Sequence, residues 1–185
     1  MNCFDLTDRV IVVTGSGRGL GKAIAVGLGS MGARAVVCSR TLTEAESTAA
    51  EISEAGGQAI GLRCDTTDRS QIETLIATTT SHFGGLHVMV NNAGIDVIEP
   101  AEDVTEDSWD EVININLKGY FNCSQLAARH MIAAGIGGSI INNSSIASGV
   151  GIAGLSAYAA AKGGVNQLTK VQAVEWAKQD RKSVV

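Results

Sequence analysis

The 185-residue sequence has little of several features that mark particular classes of protein. It contains no run rich in lysine and arginine, and its formal net charge is −5, which argues against nucleic acid as the main partner. No apolar run reaches the roughly 18 residues that a membrane span needs, and the first residues lack the basic and apolar regions of a secretion signal. We therefore expect a cytoplasmic protein without a nucleic-acid or membrane partner.

The four cysteines and three histidines do not form a recognisable ligand set. Cys3, Cys38, Cys64 and Cys123 are far apart and include no Cys-x-x-Cys pair, and the histidines are isolated from one another. A metal site or a redox dithiol is therefore not predicted. Reduced thiols in the core are the preferred interpretation of the cysteines.

What the sequence does contain is an alternation of short apolar runs with stretches of helical period. Five runs of strand length are mostly continuous in apolar character, as in a sheet covered on both faces: 10–14, 35–39, 58–64, 86–91 and 139–144. Between them apolar residues recur at i, i+3, i+4 and i+7, which predicts helices, the fourth with its stripe over 109–120 and the last over about 156–178. This order predicts one α/β domain over residues 1–185, with a doubly wound parallel sheet.

A glycine-rich turn follows the first strand and opens the first predicted helix. Glycines allow a tight turn and a close approach of backbone N–H groups to a ligand, and a helix N-terminus attracts anions. The spacing is Gly-x-x-x-Gly-x-Gly rather than the common Gly-x-Gly-x-x-Gly, because a leucine occupies position 20. The alternative is a glycine-rich turn without a ligand. The residues predicted to hold a pyrophosphate are Gly15, Ser16, Arg18, Gly19, Leu20 and Gly21.

The end of the second strand distinguishes NAD from NADP in a dinucleotide site. An acidic residue there would accept a hydrogen bond from the ribose 2′-hydroxyl, whereas an arginine accommodates a 2′-phosphate. This strand ends in Ser39 and Arg40 without a carboxylate, and Arg18 lies in the glycine-rich turn. Two guanidinium groups and a hydroxyl can bind a phosphate, so we predict a preference for NADP(H), with NAD as an alternative cofactor. Otherwise both arginines are simply solvated.

Polar residues also follow the third and fourth strands. A carboxylate after the third strand could reach an adenine amino group, although Asp65 or Asp68 could instead cap the next helix. An Asn-Asn-Ala-Gly segment ends the fourth strand. Ligands of open α/β sheets bind at the carboxyl ends of the strands. We therefore predict that the cofactor site includes Asp65, Thr66, Asn92, Ala93 and Gly94.

Three polar residues in the last part of the chain have a spacing that suits proton transfer. Tyr158 lies thirteen residues after Ser145, and Lys162 follows four residues later, so the last two share one helix face. A nearby ammonium favours the phenolate and lowers the pKa of a tyrosine from its usual value of about 10. Such a tyrosine can pass a proton to or from a substrate oxygen near neutral pH.

Asn116 is a polar residue in the apolar stripe of the fourth predicted helix. A buried amide at such a position must be paired. Asn116 is therefore either a structural bridge or an active-site group.

Together these motifs resemble those of the short-chain dehydrogenase/reductase family. The matches follow the family's order along nearly the whole chain: Thr14-Gly15-x-x-x-Gly19-x-Gly21, Asp65, Asn91-Asn92-Ala93-Gly94, Asn116, Ser145 and Tyr158-x-x-x-Lys162. The resemblance implies a Rossmann-like sheet of strand order 3-2-1-4-5 and nicotinamide-dependent redox chemistry on a carbonyl or alcohol. It also implies a catalytic tetrad of Asn116, Ser145, Tyr158 and Lys162.

The resemblance implies a role for each tetrad residue. Tyr158 would donate or accept the proton on the substrate oxygen, and Ser145 would hydrogen-bond that oxygen as charge develops. Lys162 would lower the pKa of Tyr158 and hold the nicotinamide ribose, so both residues also belong to the cofactor site. Asn116 would order a water chain. The implied substrate is a small or medium carbonyl compound or secondary alcohol of the sugar-acid, polyol or 3-oxoacyl type.

Two features depart from the family's pattern. Asn143 stands where the family usually has an apolar residue. Family members also continue beyond the length of this chain, so we expect at most a stub of a sixth strand, an exposed sheet edge and missing C-terminal strands. A homodimer is accordingly expected rather than a tetramer. The alternative function is a catalytically poor dinucleotide-binding or interaction protein.

Overall fold

The structure of the chain is a computed structural model that describes residues 4–177 and the backbone of residues 181–184. The strands are β1 Val10–Thr14, β2 Arg34–Ser39, β3 Gln58–Arg63, β4 Val88–Asn91, β5 Gly138–Asn142 and β6 Arg181–Val184. The helices are α1 Gly19–Ser30, α2 Leu42–Glu54, α3 Arg69–Phe83, α4 Glu106–Ile113, α5 Gly119–Ala133 and α6 Ser156–Trp176. Cys3 and the predicted helix end at Lys178 lie outside the described residues.

All six strands pair in parallel, in the order β3-β2-β1-β4-β5-β6. This sheet contains the order 3-2-1-4-5 implied by the resemblance. The expected stub of a sixth strand is a four-residue strand, which pairs with β5 in a register from Gly138↔Arg181 to Ile141↔Val184. Every residue of the central strand β1 is buried, which explains its continuous apolar character.

Two large apolar clusters of the described residues cover the two faces of the sheet, and a third, smaller cluster joins α4 and α6. Successive side chains of a strand point to opposite faces. Val12 of β1 therefore packs with residues of α3 and α5, whereas its neighbours Ile11 and Val13 pack with residues of α1 and α2. The three described cysteines, Cys38, Cys64 and Cys123, are buried free thiols, as predicted.

The fourth predicted helix is more complex than its single apolar stripe indicated. It consists of α4 and α5, joined by a π-helical turn over Asn114–Lys118. A π-helical turn inserts an extra residue into a helix and is often found at functional sites. Because it shifts the helix face without ending the helix, the apolar stripe continues through it and gave no sign of it.

The described residues contain neither a membrane-spanning helix nor a cluster of metal-ligating side chains. Within residues 4–177, none of the helices is long and apolar enough to cross a membrane. The same part of the chain contains no group of three or more His, Cys, Asp or Glu side chains that could hold a metal ion.

Candidate active site

A cleft of about 480 Å³ lies at the carboxyl ends of the parallel strands. The glycine-rich turn, the residues that follow β2, β3 and β4, and one face of α6 form its walls. Most residues predicted for the site line this cleft: Gly15, Arg18, Leu20, Gly21, Ser39, Arg40, Asp65, Thr66, Asn92, Ala93, Gly94, Tyr158 and Lys162. The sequence motifs thus converge on one place in the fold. Ser16, Gly19, Asn116 and Ser145 are not among the lining residues.

The glycine-rich turn packs against the segment after β4 at a distance that excludes side chains. A Cβ atom on Gly15 would lie 2.7 Å from the Cα atom of Ala93, and Gly15 has a φ of 62°. A Cβ atom on Gly21 would overlap the Gly15 carbonyl oxygen and the side-chain amide of Asn92. Glycine at both positions therefore allows the close approach of these two segments.

Side-chain hydrogen bonds hold the same two segments together. The Thr14 hydroxyl oxygen accepts from the backbone N–H groups of Asn92 and Ala93, at 2.9 and 3.0 Å. The Asn92 amide donates to the carbonyl oxygens of Thr14 and Gly15, at 3.0 and 3.2 Å. These contacts fix the turn relative to the end of β4.

The Ser16 side chain bonds to the strands below the glycine-rich turn and does not line the cleft. It is fully buried, its hydroxyl donates to the Val13 carbonyl oxygen at 2.5 Å, and the hydroxyl oxygen accepts from the Cys38 N–H at 3.0 Å. Ser16 as a residue of the cofactor site stays a prediction, and its side chain points into the core. Both hydrogen bonds of its hydroxyl are made to the backbone of β1 and β2.

The N-terminus of α1 offers unpaired backbone donors next to the turn. Its N-cap residue, Arg18, makes no side-chain capping bond, and the first turn has no acidic residue. The first N–H groups of a helix have no intrahelical partner, and the helix dipole favours an anion there. Gly19 has a φ of 58°, and apart from its chain neighbours and the backbone of α1, no protein atom lies within 4 Å of the position that its Cβ would take. This end of the helix is suited to a phosphate group.

The end of β2 carries a carboxylate that the sequence reasoning missed. Glu44 lies in the first turn of α2 and lines the cleft, and its carboxylate accepts from the Ser39 hydroxyl at 3.2 Å. The sequence analysis found no carboxylate at the end of β2 because it covered only the strand itself. Glu44 belongs to the next helix, five residues after Ser39. Arg18 and Arg40 are absent from the ion pairs found within residues 4–177.

The two aspartates after β3 have different roles. Asp68 is the N-cap of α3, and its Oδ1 accepts from the N–H groups of Ser70 and Gln71, at 2.9 and 3.4 Å. Asp65 lines the cleft, and its Oδ1 accepts from the N–H and hydroxyl of Thr67, at 2.9 and 2.8 Å. The capping alternative therefore applies to Asp68, and Asp65 remains at the cleft.

Lys162 is a buried amine that faces the cleft beside Tyr158. Both side chains project from α6, and the Lys162 Nζ lies 5.6 Å from the centroid of the Tyr158 ring. Lys162 is 3% exposed, and its Nζ donates to the Asn143 carbonyl oxygen at 2.7 Å and to the Tyr120 hydroxyl at 3.1 Å. Burial lowers the pKa of Lys162 to about 8. The amine is therefore largely charged at neutral pH.

Asn143, the polar residue at a usually apolar position, connects the two ends of the cleft. Its side-chain amide donates to the Asn92 side-chain oxygen at 3.1 Å, and its carbonyl oxygen accepts from Lys162 and from Tyr120, the latter at 3.3 Å. Asn92 in turn bonds to the glycine-rich turn. A continuous chain of hydrogen bonds thus runs from Lys162 to Gly15.

Ser145 immediately precedes a 3₁₀ turn formed by Ile146–Ser148, and its hydroxyl oxygen accepts from the Ala147 N–H at 3.2 Å. Asn166, a residue that the sequence reasoning missed, ties this loop to α6. It accepts from the Ser144 hydroxyl at 2.6 Å and donates to the Ser148 hydroxyl oxygen at 2.7 Å. Asn166 lies one turn after Lys162 on the same helix face, and this spacing could have predicted that it lies near the site.

Asn116 is fully buried in the π-helical turn, and both ends of its amide are paired. Its Oδ1 accepts from the Ile95 N–H at 2.9 Å, and its Nδ2 donates to the Ile95 carbonyl oxygen at 2.7 Å. The side chain thus bridges to the loop after β4, while the assignment of Asn116 to the active site stays a prediction. A water chain ordered by Asn116 stays a prediction.

The family model described as short chain dehydrogenase matches residues 9–182. The chain belongs to the short chain dehydrogenase family. Members of this family are oxidoreductases that use nicotinamide dinucleotides, and the chain is one of these enzymes. The resemblance proposed from the sequence motifs is therefore confirmed.

Relatives of known name and structure cover almost the whole chain. It is 37% identical over 180 residues to the 2-dehydro-3-deoxy-D-gluconate 5-dehydrogenase of Escherichia coli (strain K12), covering 97% of this chain and 70% of that protein. It is 36% identical over 174 residues to the NAD-dependent glycerol dehydrogenase of Listeria innocua serovar 6a (strain ATCC BAA-680 / CLIP 11262), covering 94% and 67%. The crystal structure of a short-chain type dehydrogenase/reductase from Mycobacterium marinum matches with a TM-score of 0.94 and 32% identity, covering 97% and 72%.

Proposed function

We propose that the chain is an NADP(H)-dependent dehydrogenase/reductase for a small or medium carbonyl compound or secondary alcohol, with cofactor and catalytic residues in one domain. The observation that carries this proposal is the common cleft shared by the open N-terminus of α1, Tyr158 and the buried amine of Lys162. Sugar acids and polyols are the first substrates to test, because relatives are named for a deoxygluconate and for glycerol. 3-Oxoacyl compounds come next.

The residues of the cleft suit a nicotinamide dinucleotide. The side-chain-free turn and the open helix N-terminus suit its pyrophosphate. We assign the adenine to the side of Asp65 and Thr66, and the 2′-phosphate to Arg18, Ser39 and Arg40. The nicotinamide riboside is assigned to the other end, to Asn92, Ala93, Gly94, Tyr158 and Lys162. When bound, the dinucleotide supplies or accepts the hydride.

Tyr158 moves the proton at the substrate oxygen. In the reductive direction its hydroxyl donates to the developing alkoxide, and in the oxidative direction its phenolate takes the proton of the alcohol. The Lys162 ammonium, 5.6 Å from the ring centroid, stabilises negative charge on the tyrosine oxygen. Lys162 therefore supports the proton transfer without itself contacting the reacting carbon.

Ser145 has a free hydroxyl proton for the substrate oxygen. Its oxygen already accepts from the Ala147 N–H, and within residues 4–177 no acceptor takes its proton. A hydrogen bond from this hydroxyl strengthens as charge develops on the substrate oxygen. Because Asn166 holds both flanks of the loop against α6, Ser145 is fixed relative to Tyr158.

NAD(H) is the second candidate cofactor, and Glu44 is the observation that favours it. A carboxylate can accept from a ribose 2′-hydroxyl and repels a 2′-phosphate. The Glu44 carboxylate is bonded to Ser39, within the group of residues assigned to the phosphate. One relative is also named as NAD-dependent.

We also propose that the chain forms a homodimer through the helices that carry Asn116 and Tyr158. These helices expose apolar side chains, with Phe121 of α5 at 41%, and Val171 and Val174 of α6 at 53% and 78%. Sedimentation equilibrium should give a dimer, and Val174→Asp should weaken it. A monomer at every accessible concentration would contradict this part of the proposal.

A fluorescence titration with NADPH and NADH, followed by a substrate panel, tests the proposed function. We expect tighter binding of NADPH, and turnover of at least one sugar acid, polyol or 3-oxoacyl compound. Tighter binding of NADH would overturn the cofactor preference. Binding without turnover of any compound would support the alternative of a dinucleotide-binding protein.

A further inference from the structure

A second tyrosine, Tyr120, contacts the amine of Lys162. It lies in α5, 42 residues before the lysine, and its hydroxyl oxygen accepts from the Lys162 Nζ at 3.1 Å. The Nζ lies 4.6 Å from the centroid of the Tyr120 ring, compared with 5.6 Å for the Tyr158 ring. Of the two tyrosines beside the amine, the nearer is thus the one that the proposed mechanism does not use.

The contacts of Tyr120 form a closed set of hydrogen bonds with Lys162 and Asn143. The ammonium donates to the tyrosine oxygen and to the Asn143 carbonyl oxygen, and the tyrosine hydroxyl donates to the same carbonyl at 3.3 Å. A tyrosine hydroxyl has one proton to donate. Because that proton is directed to Asn143, the oxygen lone pairs are available to the ammonium.

These hydrogen bonds are important for the stability of the charged amine because both side chains are buried. Tyr120 is 1% exposed and Lys162 is 3% exposed, so water contributes little to solvating the charge of the lysine head group. A buried charge without hydrogen-bond partners is strongly unfavourable, and charge-assisted bonds are the strong ones. Within the described residues, the Tyr120 hydroxyl and the Asn143 carbonyl are the acceptors that replace water around the Nζ.

We propose that Tyr120 is a positioning residue that, together with the Asn143 carbonyl, fixes the Lys162 ammonium and keeps it charged beside Tyr158. The catalytic consequence of this inference rests on the proposed function, whereas the effect on Lys162 does not.

Tyr120 acts as a neutral hydrogen-bonding group and does not take over the proton transfer that is assigned to Tyr158. Burial, followed by the proximity of Tyr158 and Cys123, raises the pKa of Tyr120 well above its usual value. Burial is also the cause of the lowered pKa of Lys162, and no carboxylate contributes to it. The polar groups that contact this amine are the Tyr120 hydroxyl and the Asn143 carbonyl, with the Tyr158 ring beside it.

The variant Tyr120→Phe tests the proposal because it removes the hydroxyl and keeps the ring. Without this acceptor, the pKa of Lys162 should fall from about 8 by about one unit, since a hydrogen bond to a charged group is lost. The measurement is an NMR titration of the Lys162 side chain in the full chain without cofactor. In the active enzyme, the alkaline limb of kcat should move by the same amount, with KM little changed.

Thr79→Val is the matched control for the loss of a buried hydroxyl. Thr79 is fully buried on α3, and its hydroxyl donates to the Leu75 carbonyl oxygen at 2.7 Å, with no contact to Lys162. The Lys162 titration should not change in this variant. An unchanged Lys162 pKa in Tyr120→Phe, or an equal shift in Thr79→Val, would overturn the proposal.

A second measurement needs no substitution. The chain has only two tyrosines, so its phenolate absorbance during an alkaline titration separates them. We expect Tyr120 to ionise only when the chain unfolds, because burial raises its pKa. Ionisation of both in the folded chain would contradict a neutral Tyr120. Neither this measurement nor the Lys162 titration uses cofactor or substrate, so failure of the proposed activity would leave both results interpretable.

Discussion

The two ends of the cleft are built from different kinds of contact. At the glycine-rich turn, shape comes from backbone segments that approach so closely that Gly15 and Gly21 leave no room for a Cβ. At the catalytic end, shape comes from buried polar side chains, with Lys162 held by Tyr120 and by the Asn143 carbonyl. Substitutions at the glycine-rich turn should therefore reduce cofactor binding, whereas substitutions at the catalytic end should reduce turnover.

The largest effect that separates the two ends is expected for Tyr158→Phe. Loss of a positioned general acid–base typically costs about 10²- to 10⁴-fold in rate, so kcat should fall by that factor. Cofactor affinity in a fluorescence titration should stay nearly the same, because the glycine-rich turn is intact. A variant with a near-normal rate would refute the role of Tyr158.

At the other end, Gly21→Ala should weaken cofactor binding. The new Cβ overlaps the Gly15 carbonyl oxygen and the Asn92 amide, and such overpacking typically costs about 1–3 kcal/mol, or about five- to 150-fold in affinity. Gly27→Ala, in the same helix, is the matched control. The new Cβ would have no neighbouring side chain or distant backbone atom within 4 Å, and alanine should stabilise α1. Equal NADPH affinities of the two variants would show that the close packing is not required.

The charge of Lys162 predicts a pH dependence that belongs to the catalytic end alone. Because burial lowers its pKa to about 8, the charged fraction falls about tenfold between pH 7 and pH 9, and kcat should decrease over that range. Since the folded pKa lies below the unfolded value of 10.5, this group should make the chain more stable as the pH rises from about 8 towards 10.5. A flat pH–rate profile across this range would contradict the role of the ammonium.

The smallest expected effect concerns Glu44, at the cofactor end. Glu44→Gln removes a negative charge from the group of residues assigned to the 2′-phosphate. Loss of about 1 kcal/mol of repulsion should raise affinity for NADPH relative to NADH about fivefold. Glu46→Gln, an exposed residue of the same helix, is the control. An unchanged ratio of the two affinities would place the carboxylate outside the 2′ site.

Local patterns in the sequence predicted most of the fold and the main motif at each end of the site. The central strand is continuous in apolar residues, and its predicted bounds match Val10–Thr14 at both ends. The glycine spacing and the Tyr158–Lys162 pair are also local, since each depends on one turn or one helix face. These features converge on one cleft once the strands are ordered.

What the sequence could not predict depends on contacts between distant segments. Tyr120 meets Lys162 across 42 residues, and its place in an apolar stripe is typical of a core aromatic. Glu44 reaches Ser39 from the next helix, and the side chain of Asn116 pairs with a loop. The π-helical turn escaped prediction because the apolar period continues through it. Tyr120 and Asn116 make their contacts across distant parts of the chain, whereas Glu44 reaches Ser39 across the short turn between β2 and α2.

Deuterium transfer tests the central claim most directly, namely that this cleft carries hydride chemistry with Tyr158 handling the proton. NADPH with both C4 hydrogens of its nicotinamide replaced by deuterium is supplied with a carbonyl substrate from the panel, and the product is analysed by mass spectrometry. The account predicts deuterium on the new alcohol carbon with the unmodified chain, and almost none with Tyr158→Phe. A product without deuterium, or equal labelling by both chains, would contradict it.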